Sequence, residues 1–519
     1  MSLLGTLIRR GAQLGSLAER PRLSPHDLQY NQLLTLLQKA KRTAFGRYHG
    51  FHEALLSPDP PKAFVRQVPA TDYQGIYDRW WHKAHLEDQP DVCWPGVIPY
   101  YALSSGTSQS STKYIPVTED MLRDMKRGSR RLFFDITKFG LSSRQFTKQM
   151  LMVGSCTMPK REGLHWTGDL SGIIGLNRPI WLERSYRPGR HITDLPEWSE
   201  RIERIVAEAP TWDIGFSVSN PMWLQLILEK IVERYKLRNI HELWPNYEVL
   251  VHGGVFFEPY RPTLEQLFGR SMHYVDSYMA SEGFFAYQNR PDTRAMRMLT
   301  DCGVYFEFVP FNDENFDENG DLRSAFPPSL SLEEVSEGAH YATLISTSAG
   351  AWRYLLGDTI QFTNLRRCEF RLTGRTKQFL SVCGEHLSID NLNAAVHRAD
   401  EMLNAGVREF TVAGVREGSY WAHQWYVSVE NPAVSPEAFA QVVDAELRRL
   451  NDDYAVERDY VLRDVRVQLL PNEIFLEWLG KRGKFNGQAK IPRVMKGEQL
   501  ANFMTHINNK GVATRIETA

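Results

Sequence analysis

The residue types able to do chemistry in this 519-residue chain fall in five short stretches. Ser104-Ser105-Gly106-Thr107-Ser108, running on to Lys113, lines up hydroxyls, amide N–H groups and one glycine. Small residues add little to a core, but they let the backbone close around an anion and point donors at phosphate oxygens. Gly106 supplies the freedom to take positive φ. Read alone, the same stretch is a Ser/Thr turn that caps the next helix. Tyr278-Met279-Ala280-Ser281-Glu282-Gly283 puts a carboxylate at a strand exit, where it suits a magnesium ion shared with phosphates. The alternative is an acid stabilised at a helix N-terminus. Gly357-Asp358 ends the run from Trp352, and its carboxylate can accept two hydrogen bonds from ribose hydroxyls or simply mark a turn. Thr373-Gly374-Arg375-Thr376-Lys377 reads as a hinge or a basic turn. Gln488-Ala489-Lys490-Ile491-Pro492-Arg493 follows a Gly-rich stretch from Gly480 to Gly487. Lys490 there either reaches phosphates held by another domain or is solvated.

These stretches need elements to hold them. Val97 to Leu103 reads as a strand approaching the serine-rich stretch, and a helix is expected from Glu119. Residues 25–65 read as helical, with a stop around Pro58-Asp59-Pro60-Pro61. The segment 197–244 also reads as mainly helical, with Met222, Leu224, Leu226, Ile227, Ile231 and Tyr235 at helical spacing. Met150–Val153, Tyr247–Val251, Met272–Val275, Val304–Val309 and Ala342–Ser346 are short apolar runs expected as buried strands. Strands interleaved with helices predict an α/β core. The acid-rich residues 311–340 read as an exposed connection. Beyond about residue 380 the pattern changes to a compact α+β unit, with helices near 389–404 and 435–451 and a strand at 421–429. Trp166, Trp212 and Trp223 fit core better than an aromatic ligand pocket. Arg127, Arg130 and Arg131 form a basic helix face, of which one member could meet a substrate carboxylate.

Size predicts at least two domains. The 61 Lys and Arg against 62 Asp and Glu give a formal net charge of -1, without the basic surplus of a nucleic-acid binder. No apolar run approaches the roughly 18 to 20 residues of a membrane span. Five scattered cysteines, Cys93, Cys156, Cys302, Cys368 and Cys383, lack any C-x-x-C pair and point to a reducing compartment, with the cytoplasm as default. The early arginines Arg9, Arg10, Arg20 and Arg22 fit an amphipathic first helix. There is no G-x-S-x-G elbow and no Walker loop, and His52-Glu53 and His241-Glu242 lack a zincin's second histidine.

Taken in order, the five stretches resemble the adenylate-forming superfamily. They resemble more closely the Gretchen Hagen family of acyl acid–amido synthetases, through Ser104–Gln109 with Lys113–Pro116, Phe306–Pro310, Trp352–Tyr354 with Gly357-Asp358, and Gln488–Lys490 with Pro492-Arg493. That resemblance implies an α/β N-terminal domain of residues 1–374, a hinge at 375–384 and a small mobile α+β lid at 385–519. It implies a ligase that uses ATP and Mg²⁺ to turn a small carboxylic acid into an acyl-adenylate and then pass the acyl group to an amino acid amine. Ser104, Ser105, Gly106, Thr107 and Ser108 with Lys113 would hold phosphates, Ser105 taking part in catalysis. Tyr278, with Ser277, Ala280 and Ser281, would border the adenine; Gly254 beside Gly253 would line the adenine or acyl pocket. Glu282 would ligate the metal, Asp358 would bind ribose, Arg375 and His386 would contact the nucleotide, and Lys490 would stabilise the α-phosphate. Three positions depart from relatives: Ser110 for a frequent glycine, Met279 for a small residue, and His386 for the lysine often found after the hinge acid, here Glu385. Two alternatives stay open, an acyl-CoA ligase sharing the first step and a non-catalytic nucleotide binder. A monomer without nucleic-acid or membrane partners is expected.

Overall fold

The computed structural model describes residues 3–19, 22–104, 112–153, 159–178, 180–195, 197–254, 257, 260–312, 314–317, 320–377, 379–385, 387–481 and 491–510. Ser105, Gly106, Thr107, Ser108, Ser110, His386 and Lys490 lie outside these residues. The chain clusters into two compact units; among the described residues the first holds 3–104 and 113–376, and the second holds Thr112 and the residues from Lys377 onward.

In the first unit the strands are β1 (Tyr100–Ser104), β2 (Lys113–Val117), β3 (Gln149–Val153), β4 (Lys160–Glu162), β5 (His165–Gly168), β6 (Tyr186–Arg187), β7 (Ile214–Ser219) and β8 (Val249–His252). They are followed by β9 (His273–Ala280), β10 (Gly283–Tyr287), β11 (Met296–Met298), β12 (Val304–Pro310), β13 (His340–Thr347), β14 (Tyr354–Asn364) and β15 (Glu369–Arg375). Among the described residues a four-stranded sheet runs β2-β1-β5-β4 and a larger sheet runs β12-β13-β14-β15-β11-β10-β9-β8-β7-β3-β6. The larger sheet is antiparallel from β12 to β9 and parallel from β9 through β8, β7 and β3 to β6. The change of sense occurs on β9, beside the carboxyl ends of the parallel strands, where open α/β sheets offer a crevice for ligands.

Every residue of β7 except Val218, and every residue of β8, is buried, as expected of parallel strands covered on both faces. β7 interrupts the segment expected to be mainly helical: helices Trp198–Glu208 and Pro221–Tyr235 flank it. Its Gly215 and alternating serines weakened the strand signal, and tertiary pairing with β3 and β8 overrode it. Pro60 likewise starts a helix, Pro60–Gln67, at the first-turn position that tolerates its missing N–H, with Asp59 accepting from the Lys62 N–H at 3.1 Å. The helix Glu119–Asp135 begins where expected, after the Thr118 hydroxyl accepts from the Met121 N–H at 3.1 Å. It carries the three arginines, and all are engaged: Arg127 with Asp124, Arg130 with Glu19, and Arg131 with Glu19 and Asp301. Trp212 and Trp223 are core, and Trp166 is partly exposed. Residues 311–340 are a connection with anchors, since Phe316 is buried and Leu330 pairs with Phe308.

In the second unit, β16 (Phe379–Leu380) pairs with β17 (Leu387–Ser388), and β18 (Val407–Glu417), β19 (Tyr420–Val429) and β20 (Leu462–Leu469) form a sheet. Helices Ile389–Leu403 and Pro436–Leu450 match the sequence expectation. No described helix is long and apolar enough to cross a membrane.

Candidate active site

Asp358 sits within β14, directly opposite Arg375 on β15. It is therefore a strand residue and not a turn aspartate. The preceding Gly357 takes φ +87°, a left-handed conformation that suits glycine, and its carbonyl accepts from the Thr376 N–H at 2.8 Å. The Arg375 Nε lies 2.9 Å from Asp358 Oδ1, and the Tyr278 hydroxyl donates to Oδ2 at 2.5 Å. Tyr278 and Asp358 are buried, while the Arg375 side chain is 38% exposed. An ionised carboxylate offers about four lone-pair directions. Two are used here, and the remaining two suit a pair of hydroxyls on a ligand. Burial first, and then the Asp358 charge, raise the Tyr278 phenol well above its ordinary value, so it stays a donor.

Glu282 lies in the two-residue turn Ser281-Glu282 between β9 and β10, with Ala280 paired to Gly283. A hairpin turn has no helix dipole, which removes the helix-cap reading. Burial pushes its carboxyl up; Lys113, its own backbone N–H and a hydrogen bond from the Tyr354 hydroxyl pull it back, and Asp358 adds repulsion. The net displacement is upward. A half-buried carboxylate with one cation and one phenol for company is disfavoured as an anion and suits a divalent ion. Tyr354 is itself fixed by stacking on Trp81, with centroids 5.9 Å apart.

Ser104 and Lys113 are paired at the open ends of β1 and β2, on either side of residues 105–112. The Lys113 Nζ stands 5.4 Å over the Tyr73 ring, and Tyr73 accepts the Tyr114 N–H at 2.9 Å. At the carboxyl end of β8, Gly253 is obligatory, since a Cβ there would fall 2.4 Å from the Ser277 carbonyl oxygen. The Ser277 hydroxyl donates to the His252 carbonyl at 2.8 Å, and Gly254 turns the chain at φ +85°. The fold thus brings Tyr278, Asp358 and Arg375 into one bonded group, with Ser277 next to Tyr278 on β9, and Glu282 and Lys113 into its electrostatic reach. Met279, a departure noted in the sequence, is 37% exposed on β9.

Two features escaped the sequence reading, although both lie inside quoted motifs. Tyr354 is the hydrogen-bond donor to Glu282. Arg353, fully buried at φ +44°, pairs with Glu307 at 3.0 Å and donates to the Val65 and Val68 carbonyls and to the Ser329 hydroxyl. Phe306–Pro310 and Trp352–Tyr354 are therefore two halves of one buried ion pair that holds β14 in place beside Asp358.

Three family models match the chain: the GH3 family N-terminal domain over residues 19–173 and 164–272, the GH3 family central domain over 297–375, and the GH3 family C-terminal domain over 390–499. An indole-3-acetic acid-amido synthetase GH3.8 of Oryza sativa subsp. indica is 30% identical over 282 residues, 49% of this chain and 44% of that protein. The indole-3-acetic acid-amido synthetase GH3.3 of Arabidopsis thaliana is 24% identical over 300 residues, 54% of this chain and 48% of that protein. The matched stretches span less than half the length of these two relatives. Among solved structures, an AtGH3.15 acyl acid amido synthetase in complex with 2,4-DB superposes with a TM-score of 0.58 at 16% identity, covering 92% of this chain and 93% of that one. A 2-hydroxyisobutyryl-CoA ligase in complex with 2-HIB-AMP and CoA gives 0.59 at 14% identity, covering 93% and 92%. At such identities these two likenesses concern the fold alone. With three successive domain matches along its length, the chain belongs to the GH3 family.

Proposed function

We propose that this protein is an ATP-dependent acyl acid–amido synthetase acting through an acyl-adenylate. The observation that carries the reading is the end-to-end match to the three GH3 domains, with Asp358 and Arg375 inside the central one. Asp358, steadied by Tyr278 and Arg375, accepts from the ribose hydroxyls. Ser104 to Ser108 and Lys113 bind phosphates, Ser277, Ala280 and Ser281 border the base with Gly254 nearby, and Arg375 and His386 contact the nucleotide.

In the first step a carboxylate oxygen of the acid attacks the α-phosphorus, a new P–O bond forms, and the bond to the β-phosphate oxygen breaks to release pyrophosphate. Charge accumulates on the α-phosphate, which calls for preorganised donors and a cation; Ser105 and Lys490 are assigned to it. Glu282 would hold Mg²⁺, which neutralises phosphate charge when bound. Its raised carboxyl fits this assignment, since a divalent ion relieves the cost of its burial. In the second step a neutral amine attacks the acyl carbon, the C–O bond to AMP breaks, and the amine's proton passes to solvent or a base. We place the chain in the cytoplasm as a monomer; the four described cysteines, all buried free thiols, support a reducing location.

The test is acid-dependent exchange of pyrophosphate into ATP over a broad panel of acids, followed by amide analysis with a panel of amino acids. Exchange and amide formation are expected. No exchange with any acid, or thioester formed with CoA in place of amide, would overturn the assignment. Lys490→Ala is expected to slow adenylation by about a hundredfold or more, as loss of a transition-state charge partner does, with a smaller effect on ATP binding; unchanged single-turnover rates would remove Lys490 from the role.

A further inference from the structure

A second cluster of donor groups lies apart from Asp358 and Glu282. β4 and β5 are joined by Gly163-Leu164, with Gly163 at φ +60°, so that Glu162 and His165 are direct cross-strand partners. Such partners project from the same face of a ladder. The short helix His82–Leu86 brings His85 to them, and one donor atom from each of His85, Glu162 and His165 lies within 4.8 Å of the others. Both imidazoles are buried, at 7% and 5% exposure, while Glu162 is exposed.

The second nitrogen of each ring is already committed. The Tyr77 hydroxyl lies 2.8 Å from His85 Nδ1, and Asp88 Oδ1 lies 3.3 Å from His165 Nδ1. This leaves Nε2 as the second nitrogen of each ring, and His165 Nε2 is buried without a hydrogen-bond partner. An orphaned ring nitrogen is costly to bury. A carboxylate or hydroxyl behind a histidine is the arrangement that orients a metal ligand and fixes its tautomer.

We propose that His85, His165 and Glu162 form a zinc site, with solvent as the fourth ligand. Two imidazoles and a carboxylate are a donor set suited to Zn²⁺. Bonds of about 2.0–2.1 Å require donors roughly 3.4 Å apart, so the cluster must draw in on binding, and the exposed Glu162 has room to rotate toward the two rings. The bound ion ties the helix His82–Leu86 to the β4–β5 hairpin across Tyr101, whose ring centroid stands 4.6 Å from that of His85 and 4.8 Å from that of His165. Since β5 pairs with β1, the site braces the strand that ends at Ser104.

The experiment uses the full untagged chain, stripped with chelator and free of nucleotide. Titration with Co²⁺ is expected to give tetrahedral visible bands at one equivalent, displaced by Zn²⁺, and Zn²⁺ is expected to raise the melting temperature. Glu162→Gln, at an exposed position compatible with folding, should weaken binding about tenfold or more, and Asp88→Asn about tenfold, as lost outer support typically does. His165→Gln should abolish the bands. Absence of stoichiometric Co²⁺ or Zn²⁺ binding, or equal affinity in wild type and Glu162→Gln, overturns the site.

Discussion

Asp358 shows how a single carboxylate can be held firmly and still have capacity to spare. Arg375 and Tyr278 each engage one of its oxygens, fixing its orientation before any ligand arrives. Asp358→Ala is expected to raise the KM for ATP by about 100-fold or more, the worth of two hydrogen bonds to a charged acceptor; Tyr278→Phe, which keeps the ring, should cost less. Pyrophosphate-exchange kinetics would separate the two. Glu282 gives a pH prediction. Its folded carboxyl is raised, so the anion needed for metal binding is lost at a higher pH than for an ordinary glutamate. kcat/KM for ATP should therefore fall as pH drops toward the upper carboxylate range. In Glu282→Gln that limb should vanish and the Mg²⁺ requirement should rise. A variant with the same acid limb and the same Mg²⁺ titration as wild type would contradict the assignment.

At the level of elements, β14 carries the most constraint. A buried guanidinium that satisfies Glu307, two helix-end carbonyls and a serine cannot be replaced by a shorter ammonium. Arg353→Met leaves Glu307 charged and unpaired, and should cost about 3–5 kcal/mol, measured by chemical denaturation. The double substitution with Glu307→Gln should recover part of that loss. Gly357 on the same strand tests backbone strain without a steric term: a Cβ there meets nothing within 4 Å, yet φ is +87°. Gly357→Ala should therefore cost only about 1–2 kcal/mol, the left-handed penalty. The trio of motif, strand and ion pair was only half readable. Trp352-Arg353-Tyr354 and Phe306–Pro310 were both visible as letters, but their bond spans 46 positions of sequence.

For the whole molecule, acid stability turns on Glu385 in the second unit. It is completely buried, and burial alone would raise it. The hydrogen bond and charge of His423 at 2.9 Å, with N–H donors from Val382, Cys383 and Gly384, outweigh that and bring it down to about 2. A depressed carboxyl stabilises the fold above its unfolded value near 4.5, and this contribution, about 3 kcal/mol at most, is lost as pH falls from there toward 2. Glu457, raised by burial and by Glu385, titrates in the opposite sense, so the effect is read as a difference. Hydrogen exchange of β19 amides in the full chain should show acid lability in wild type and a flatter pH dependence in Glu385→Gln.

The sequence by itself determined the α/β class, the helices from Glu119, at 389–404 and at 435–451, the strands β3, β8, β12 and β13, and the family resemblance. These signals are local: caps, apolar periods and short motifs act over a few residues. It left β7 unmarked inside a segment read as mainly helical, because a strand interleaved with glycine and serine is recognisable only through its neighbours β3 and β8. Tertiary structure alone decided that Tyr278 and Arg375 grip Asp358, that Glu282 occupies a hairpin turn, and that Arg353 answers Glu307. Burial, charge partners and cross-strand register are set by contacts between distant segments, and no spacing along the chain encodes them singly.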